Sequence, residues 1–165
     1  MAITYEAIGS YTVVGSNLLG TTGVTFNSFS GYTDLILVQS VAATAPAIGC
    51  IQVNSDTGAN YSQTSMSGNG STVSSSRASG ATQLNTVIAH LNTAWSNYTS
   101  HFMNYANTTT YKTCIQRYND TALGTEAVVG LWRNTAAITS IKVYMDRAEY
   151  YVVGSTFTLY GIKAA

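Results

Sequence analysis

Apolar residues in this chain recur with a spacing of two over short stretches, and Gly, Asn, Ser and Thr interrupt each stretch before a helical stripe develops. A period of two sends successive side chains to opposite faces, which marks half-buried antiparallel strands. Tyr98 to Tyr105 sets Tyr98, Ser100 and Phe102 against Thr99, His101 and Met103. Ile138 to Met145 puts Ile141, Val143 and Met145 on one face, and Thr156 to Ile162 divides Phe157 and Leu159 from Thr158 and Tyr160. Tyr111 to Tyr118 and Glu126 to Arg133 also read as strands, the second carrying Val128, Val129, Leu131 and Trp132. Tyr11 to Val14, Gly23 to Phe26 and Ile48 to Val53 are shorter β-prone pieces. Asp34 to Val41 has an unbroken apolar centre, which predicts a strand buried on both faces.

The segments between them are punctuated by turn chemistry. Asn54-Ser55-Asp56-Thr57-Gly58 is a turn, and Pro46 sits in a loop-like Ala/Thr stretch where it breaks no strand. Residues Ser65 to Thr82 are Ser, Gly and Asn with almost no apolar content, and read as a long loop. Thr86 to Ala94 is ambiguous: Val87, Ile88, Leu91 and Trp95 fit a helical stripe, while short length and an all-β neighbourhood favour a strand. The 165 residues fit one domain. About eight to ten short strands with turns between them predict an all-β fold, an antiparallel β-sandwich that is jelly-roll-like. The N-terminal segment, about 1–20, and the loop at about 65–82 are expected to reach neighbouring molecules.

Charge narrows the partners. Only 8% of residues are charged, against about 25% in an ordinary soluble domain. Seven basic and seven acidic side chains cancel. A neutral hydroxyl- and amide-rich surface does little to keep molecules apart, which suits a chain that lives in an assembly. Nucleic acid and anionic membrane are not expected as partners, because the basic residues form no cluster. The N-terminus lacks the basic stretch and long apolar core of a secretory signal, so synthesis in a cytosol is expected, and the five N-x-S/T sequons reflect only Asn, Ser and Thr richness. No stretch approaches the length of an apolar membrane-spanning helix.

Chemistry is sparse. His90 and His101 belong to no metal-ligand spacing, and no Gly-x-Ser-x-Gly elbow is present. Asp146 and Glu149 flank a turn around Arg147 and read as solvated acids rather than a glycosidase pair. Asp56 and Asn60 carry oxygen atoms of the kind Ca²⁺ takes, but without the repeated acids of a calcium loop they read as an Asx-type turn. Cys50 and Cys114 lie in apolar segments and read as buried free thiols, with a disulfide between them as the alternative. No catalytic residue, cofactor or metal is expected.

The positive signal is tyrosine, with 12 residues against four Phe and two Trp. Tyr offers large contact area at low side-chain entropy cost, and its hydroxyl still bonds at an interface edge. About half of these tyrosines are expected to fill the sandwich core edge. Tyr61, Tyr105, Tyr111, Trp132, Arg133 and Tyr160 are the candidate interface residues. Arg133 joins them because a guanidinium tolerates desolvation, as does Arg117 in its strand.

Several segments carry a resemblance that spans nearly the whole chain. They are Asp34-Leu35-Ile36-Leu37-Val38, Asp56-Thr57-Gly58-Ala59-Asn60-Tyr61-Ser62, the stretch from Met103 to Thr113, Gly130-Leu131-Trp132-Arg133, and the ending from Gly154 through Leu159-Tyr160-Gly161-Ile162 to Lys163. In order and ending, the chain resembles a family of small structural proteins of tailed bacteriophages, of marine and cyanophage type. Val152-Val153-Gly154 departs from the small, polar lead-in to the last strand that the family leads one to expect. The resemblance implies a virion component with a β-sandwich fold and no catalytic residues. The expected role is a capsid decoration, or cement, protein that binds between major capsid protein subunits, as a homotrimer on the capsid surface. The alternative is a tail or fibre component that binds host surface polysaccharide.

Overall fold

The computed structural model describes residues 4–85, 91–120 and 124–163. Among them are fourteen strands in chain order: β1 (Thr4–Thr12), β2 (Leu18–Leu19), β3 (Val24–Asn27), β4 (Asp34–Val41), β5 (Gly49–Val53), β6 (Tyr61–Gly68), β7 (Val73–Ala81), β8 (Leu84–Asn85), β9 (Ser96–Phe102), β10 (Lys112–Asp120), β11 (Gly124–Trp132), β12 (Ser140–Met145), β13 (Tyr150–Tyr151) and β14 (Thr156–Lys163). An eight-stranded sheet runs in the order β1-β14-β4-β9-β10-β11-β6-β7. A four-stranded sheet, β3-β12-β5-β8, and a two-stranded ribbon, β13-β2, form the smaller layers. Every pairing is antiparallel. The expected all-β antiparallel sandwich is observed, with layers of unequal width.

Period-two patterning drives this arrangement. In β9, Ser96, Tyr98, Ser100 and Phe102 are buried; in β12, Ile141, Val143 and Met145 are buried. These inward residues meet in one core that also takes in Leu35, Leu37, Tyr61, Tyr151, Phe157 and Leu159. Close approach between the layers needs a residue without a side chain at Gly130, where an added Cβ would lie 2.8 Å from the buried Leu84 Cδ2. Gln63 clasps the layers more directly: its Nε2 donates to Asn85 O at 3.0 Å and its Oε1 accepts from Asn85 N at 2.8 Å. The side-chain amide thus replaces a strand partner for β8.

Three expectations are corrected. Residues Ser65 to Thr82 are largely strand, not loop: β6 and β7 form a hairpin paired from Gly68↔Val73 to Tyr61↔Ala81. Its turn is set by Asn69, whose Oδ1 accepts from Ser71 N and Thr72 N at 2.9 and 2.8 Å, and by Gly70 at φ 88°. β7 is the outermost strand and buries almost nothing, so it needs a backbone ladder but no apolar alternation. Second, β4 is buried on one face only, with Leu35, Leu37, Gln39 and Val41 inward and Val38 exposed. Its apolar centre points both to the core and to a sheet face with no layer over it. Third, residues 4–12 of the N-terminal segment are no free arm, because β1 pairs along β14 as the opposite edge of the large sheet.

Cys50 and Cys114 are both free and buried, and burial pushes the Cys50 thiol up to about 12. Of the ambiguous segment Thr86 to Ala94, residues 86–90 lie outside the described residues, and Leu91 is buried and bridged to Ala47.

The Gly130–Leu84 contact gives a direct test of the layer spacing. Gly130→Ala is expected to lower unfolding free energy by about 1–3 kcal/mol through overpacking. In the Gly130→Ala/Leu84→Ala double variant, the added methyl enters the space vacated by Leu84, so the two losses will sum to less than their separate values in urea titrations.

Candidate functional site: the uncovered face of the large sheet

The register of the eight-stranded sheet assigns each outward side chain to a cross-strand row. One row reads Tyr160, Ile36, His101, Ile115, Val129, Thr64 and Arg77 across β14, β4, β9, β10, β11, β6 and β7. The next reads Thr158, Val38, Thr99, Arg117, Ala127, Met66 and Ser75. Large apolar side chains here are left to solvent: Val129 is 56% exposed, Met66 63%, Val38 39% and Ile115 38%. No described element covers this face. Ordinary soluble surfaces scatter such residues singly, whereas Ile115, Val129 and Met66 lie on the adjacent strands β10, β11 and β6, with Val38 farther along the same face on β4.

The face is shaped as well as apolar. A groove of about 660 Å³ is lined by Met66, Val73, Asn97, Thr99, Arg117 and Asn119 among others. A second hollow, of about 250 Å³, is lined by Ser62, Thr64, Arg77, Val129 and Leu131 with Gln63. Aliphatic side chains therefore sit among hydroxyls, amides and two guanidinium groups, which is the mixed composition of a protein–protein contact surface.

His101 and Asp34 make the one ion-pair-like contact on this face: His101 Nε2 lies 3.1 Å from Asp34 Oδ2. Asp34 Oδ1 also accepts from Asn104 N at 2.7 Å, which ties the β9–β10 connection to β4. His101 is flanked across the ladder by Ile36 and Ile115. A histidine held by a carboxylate resembles part of a catalytic triad, but its cross-strand neighbours are aliphatic and supply no nucleophile. Among the described residues, no group of three or more His, Cys, Asp or Glu is placed to hold a metal.

The six candidate interface residues separate into two sets. Tyr61, Tyr105 and Trp132 are buried in the core, so they contribute packing and not free contact area. Tyr160 lies half-buried on the uncovered face. Tyr111, 54% exposed, lies between β9 and β10, and Arg133 donates from Nη2 to Ala59 O at 2.7 Å just beyond β11. Arg117 stands exposed at the middle of the face. Sequence reasoning missed Val38, Met66, Ile115 and Val129, since an outward Val reads as core until the second layer is known to be absent above it.

The turn from Asn54 to Asn60 is densely hydrogen-bonded. Asn54 and Ser55 take left-handed φ values of 52° and 54°. Asp56 Oδ1 accepts from Gly58 N at 2.8 Å, and its Oδ2 accepts from Asn60 Nδ2 at 2.9 Å and from Trp132 Nε1 at 2.6 Å. Tyr61 Oη lies 3.1 Å from Asp56 O and accepts from Val53 N at 3.1 Å. Asp56 is therefore an Asx-type turn residue, as read from the sequence, and the structure adds that it anchors two core aromatics with its carboxylate oxygens already engaged. Burial acts to raise its pKa, but the hydrogen bonds from Trp132, Asn60 and Gly58 prevail and hold the carboxyl below its ordinary value. Burial pushes the Tyr61 hydroxyl up to about 12.

Asp146 and Glu149 do not combine into an acid pair on either groove. Asp146 accepts from Ile48 N at 2.8 Å and pairs with Arg147, while Glu149 accepts from Thr44 Oγ1 at 3.0 Å. Each fixes a different part of the connection between β4 and β5.

The Asp56 anchor predicts an acid-side signature. A depressed carboxyl stabilises the fold fully above its unfolded-state value of about 4, and that stabilisation is lost as pH falls through the lower folded-state value. Asp56→Ala is expected to cost about 1–2 kcal/mol at neutral pH by orphaning the Trp132 N–H. The gap to the unaltered chain will narrow below about pH 4 in thermal melts monitored by Trp fluorescence.

Compared with known proteins, the chain matches no family model, no curated protein and no solved structure.

Proposed function

We propose that this chain is a non-catalytic structural component of a tailed-bacteriophage particle, and that it acts as a decoration protein bound between major capsid protein subunits. The observation that carries the contact-forming part of this reading is the uncovered face of the eight-stranded sheet, with Val38, Ile115, Val129 and Met66 exposed together. Burying such a face removes apolar area from water at roughly 25 cal/mol per Å² before association costs are subtracted. The phage assignment draws on the sequence resemblance, and the decoration role on a single sandwich without fibre repeats. Neutral charge fits the same role, since a shell protein crowded among copies meets little long-range repulsion.

A second reading has its own observation. The 660 Å³ groove presents Asn97, Thr99, Asn119 and Arg117 side by side. Amides, hydroxyls and a guanidinium are the groups that bond sugar hydroxyls and acidic sugars, as a tail component contacting host polysaccharide would require.

Purified particles decide between these readings by protein quantitation. Decoration requires on the order of hundreds of copies per particle, set by shell symmetry, whereas a tail component requires on the order of a few dozen. Particles assembled without this chain are expected to release their genome at lower temperature if it cements the head. Absence of the chain from purified particles would remove the phage reading altogether.

A further inference from the structure

Gln63 satisfies its side-chain amide on Asn85, but two inward polar groups nearer the middle of the large sheet are left over. Gln116 Nε2 on β10 and Tyr98 Oη on β9 are buried and meet no hydrogen-bond partner among the described residues. Both residues line one cavity of about 10 Å³ between the two layers. Gln39 on β4 lines it as well and stands directly across the ladder from Tyr98. Since β4, β9 and β10 are neighbours, three polar side chains converge on the wall that the large sheet presents. The opposite wall includes Cys50 of β5 and Val143 of β12, with Leu91 beside them. Val143 and Leu91 offer no polar side-chain atom. Cys50 Sγ is a weak partner, and it already donates to Ile48 O at 3.6 Å. The Tyr98 ring stacks on Tyr118 with centroids 5.0 Å apart, which fixes where its hydroxyl ends.

We infer that this cavity binds one structural water, which accepts from Gln116 Nε2, bonds Tyr98 Oη and reaches the Gln39 amide with its remaining bond. Size selects the occupant: a single water needs about 10–15 Å³ of this kind of space, so the cavity admits one and not two. Chemistry agrees with size. A buried water takes two to four polar partners, and three side chains are offered here. Cavities that stay dry are lined by apolar groups alone. An ion does not suit the site, because neutral amides and a hydroxyl in a desolvated interior do not offset a full charge. The bridge also reads the register of the sheet. A slip of one residue in β4, β9 or β10 turns its polar side chain to the opposite face and removes one of the water's partners. The site is independent of the reading as a particle component, since its lining belongs to the core.

Two measurements on the full chain test this. The first is a crystal structure at a resolution that places ordered water. Density is expected in the cavity within hydrogen-bonding distance of both Gln116 Nε2 and Tyr98 Oη. The second is urea titration of Gln116→Met, Tyr98→Phe and the double variant, which keep the side-chain shapes and remove the polar atoms. Each single substitution takes one bond from the water and is expected to lower the folding equilibrium constant by about fivefold. The double variant is expected to lose less than the product of the two, because both act through the same water. A cavity without water density overturns the inference, as does a protein group bonded to Gln116 Nε2 in its place. Unchanged or increased stability in Gln116→Met also overturns it, since that is the result of deleting a buried donor that bonds nothing. If Gln116→Met fails to fold, the density in the unaltered chain decides.

Discussion

A side-chain period of two, imposed on an eight-stranded antiparallel ladder, divides every residue of the large sheet between a covered side and an open one. The ladder leaves no freedom within a strand: when Leu37 and Phe157 turn inward, Val38 and Thr158 must turn out. The four-stranded sheet and the two-stranded ribbon form the opposing layers, against an outer surface eight strands wide. The core, the polar clasps between layers and the exposed apolar patch all follow from that mismatch in width.

The polar interior shows how the layers are joined. Gln63 serves as a strand partner for β8 through its side-chain amide, and Asp56 gathers donors from Gly58, Asn60 and Trp132. Lys112 is buried and donates from Nζ to Thr110 O and Thr135 O, with desolvation lowering its pKa. Buried polar groups of this kind are tolerated only when partnered, and once partnered they specify one alignment of the layers. A chain with few charges builds that specificity from amides, hydroxyls and single ionic groups bonded to backbone. Exposed ion pairs such as Lys163–Glu6 add little by comparison.

The same economy bears on function. Several of the acids serve as local anchors for turns and connections. Asp34 orients His101 and the start of the β9–β10 connection; Asp146 and Glu149 hold two points between β4 and β5. The proposed roles are roles of contact, made by extended surface.

The sequence by itself determined the all-β class and the side-chain direction in its clearly alternating strands. Alternation in β9, β12 and β14 reports burial directly, because each has one face on the core. It also indicated the Asx character of Asp56, but left a disulfide between the two cysteines open, and the structure shows both thiols free and buried. It did not reveal β7, since an edge strand with both faces near solvent needs hydrogen-bonding neighbours and no apolar pattern. Nor did it distinguish Tyr61, Tyr105 and Trp132, which are buried, from Tyr160, which reaches the open face, because an aromatic residue fits either setting. Only tertiary structure decided which apolar residues were left uncovered: Val38 and Leu37 are chemically alike, and their difference lies in whether another layer stands opposite.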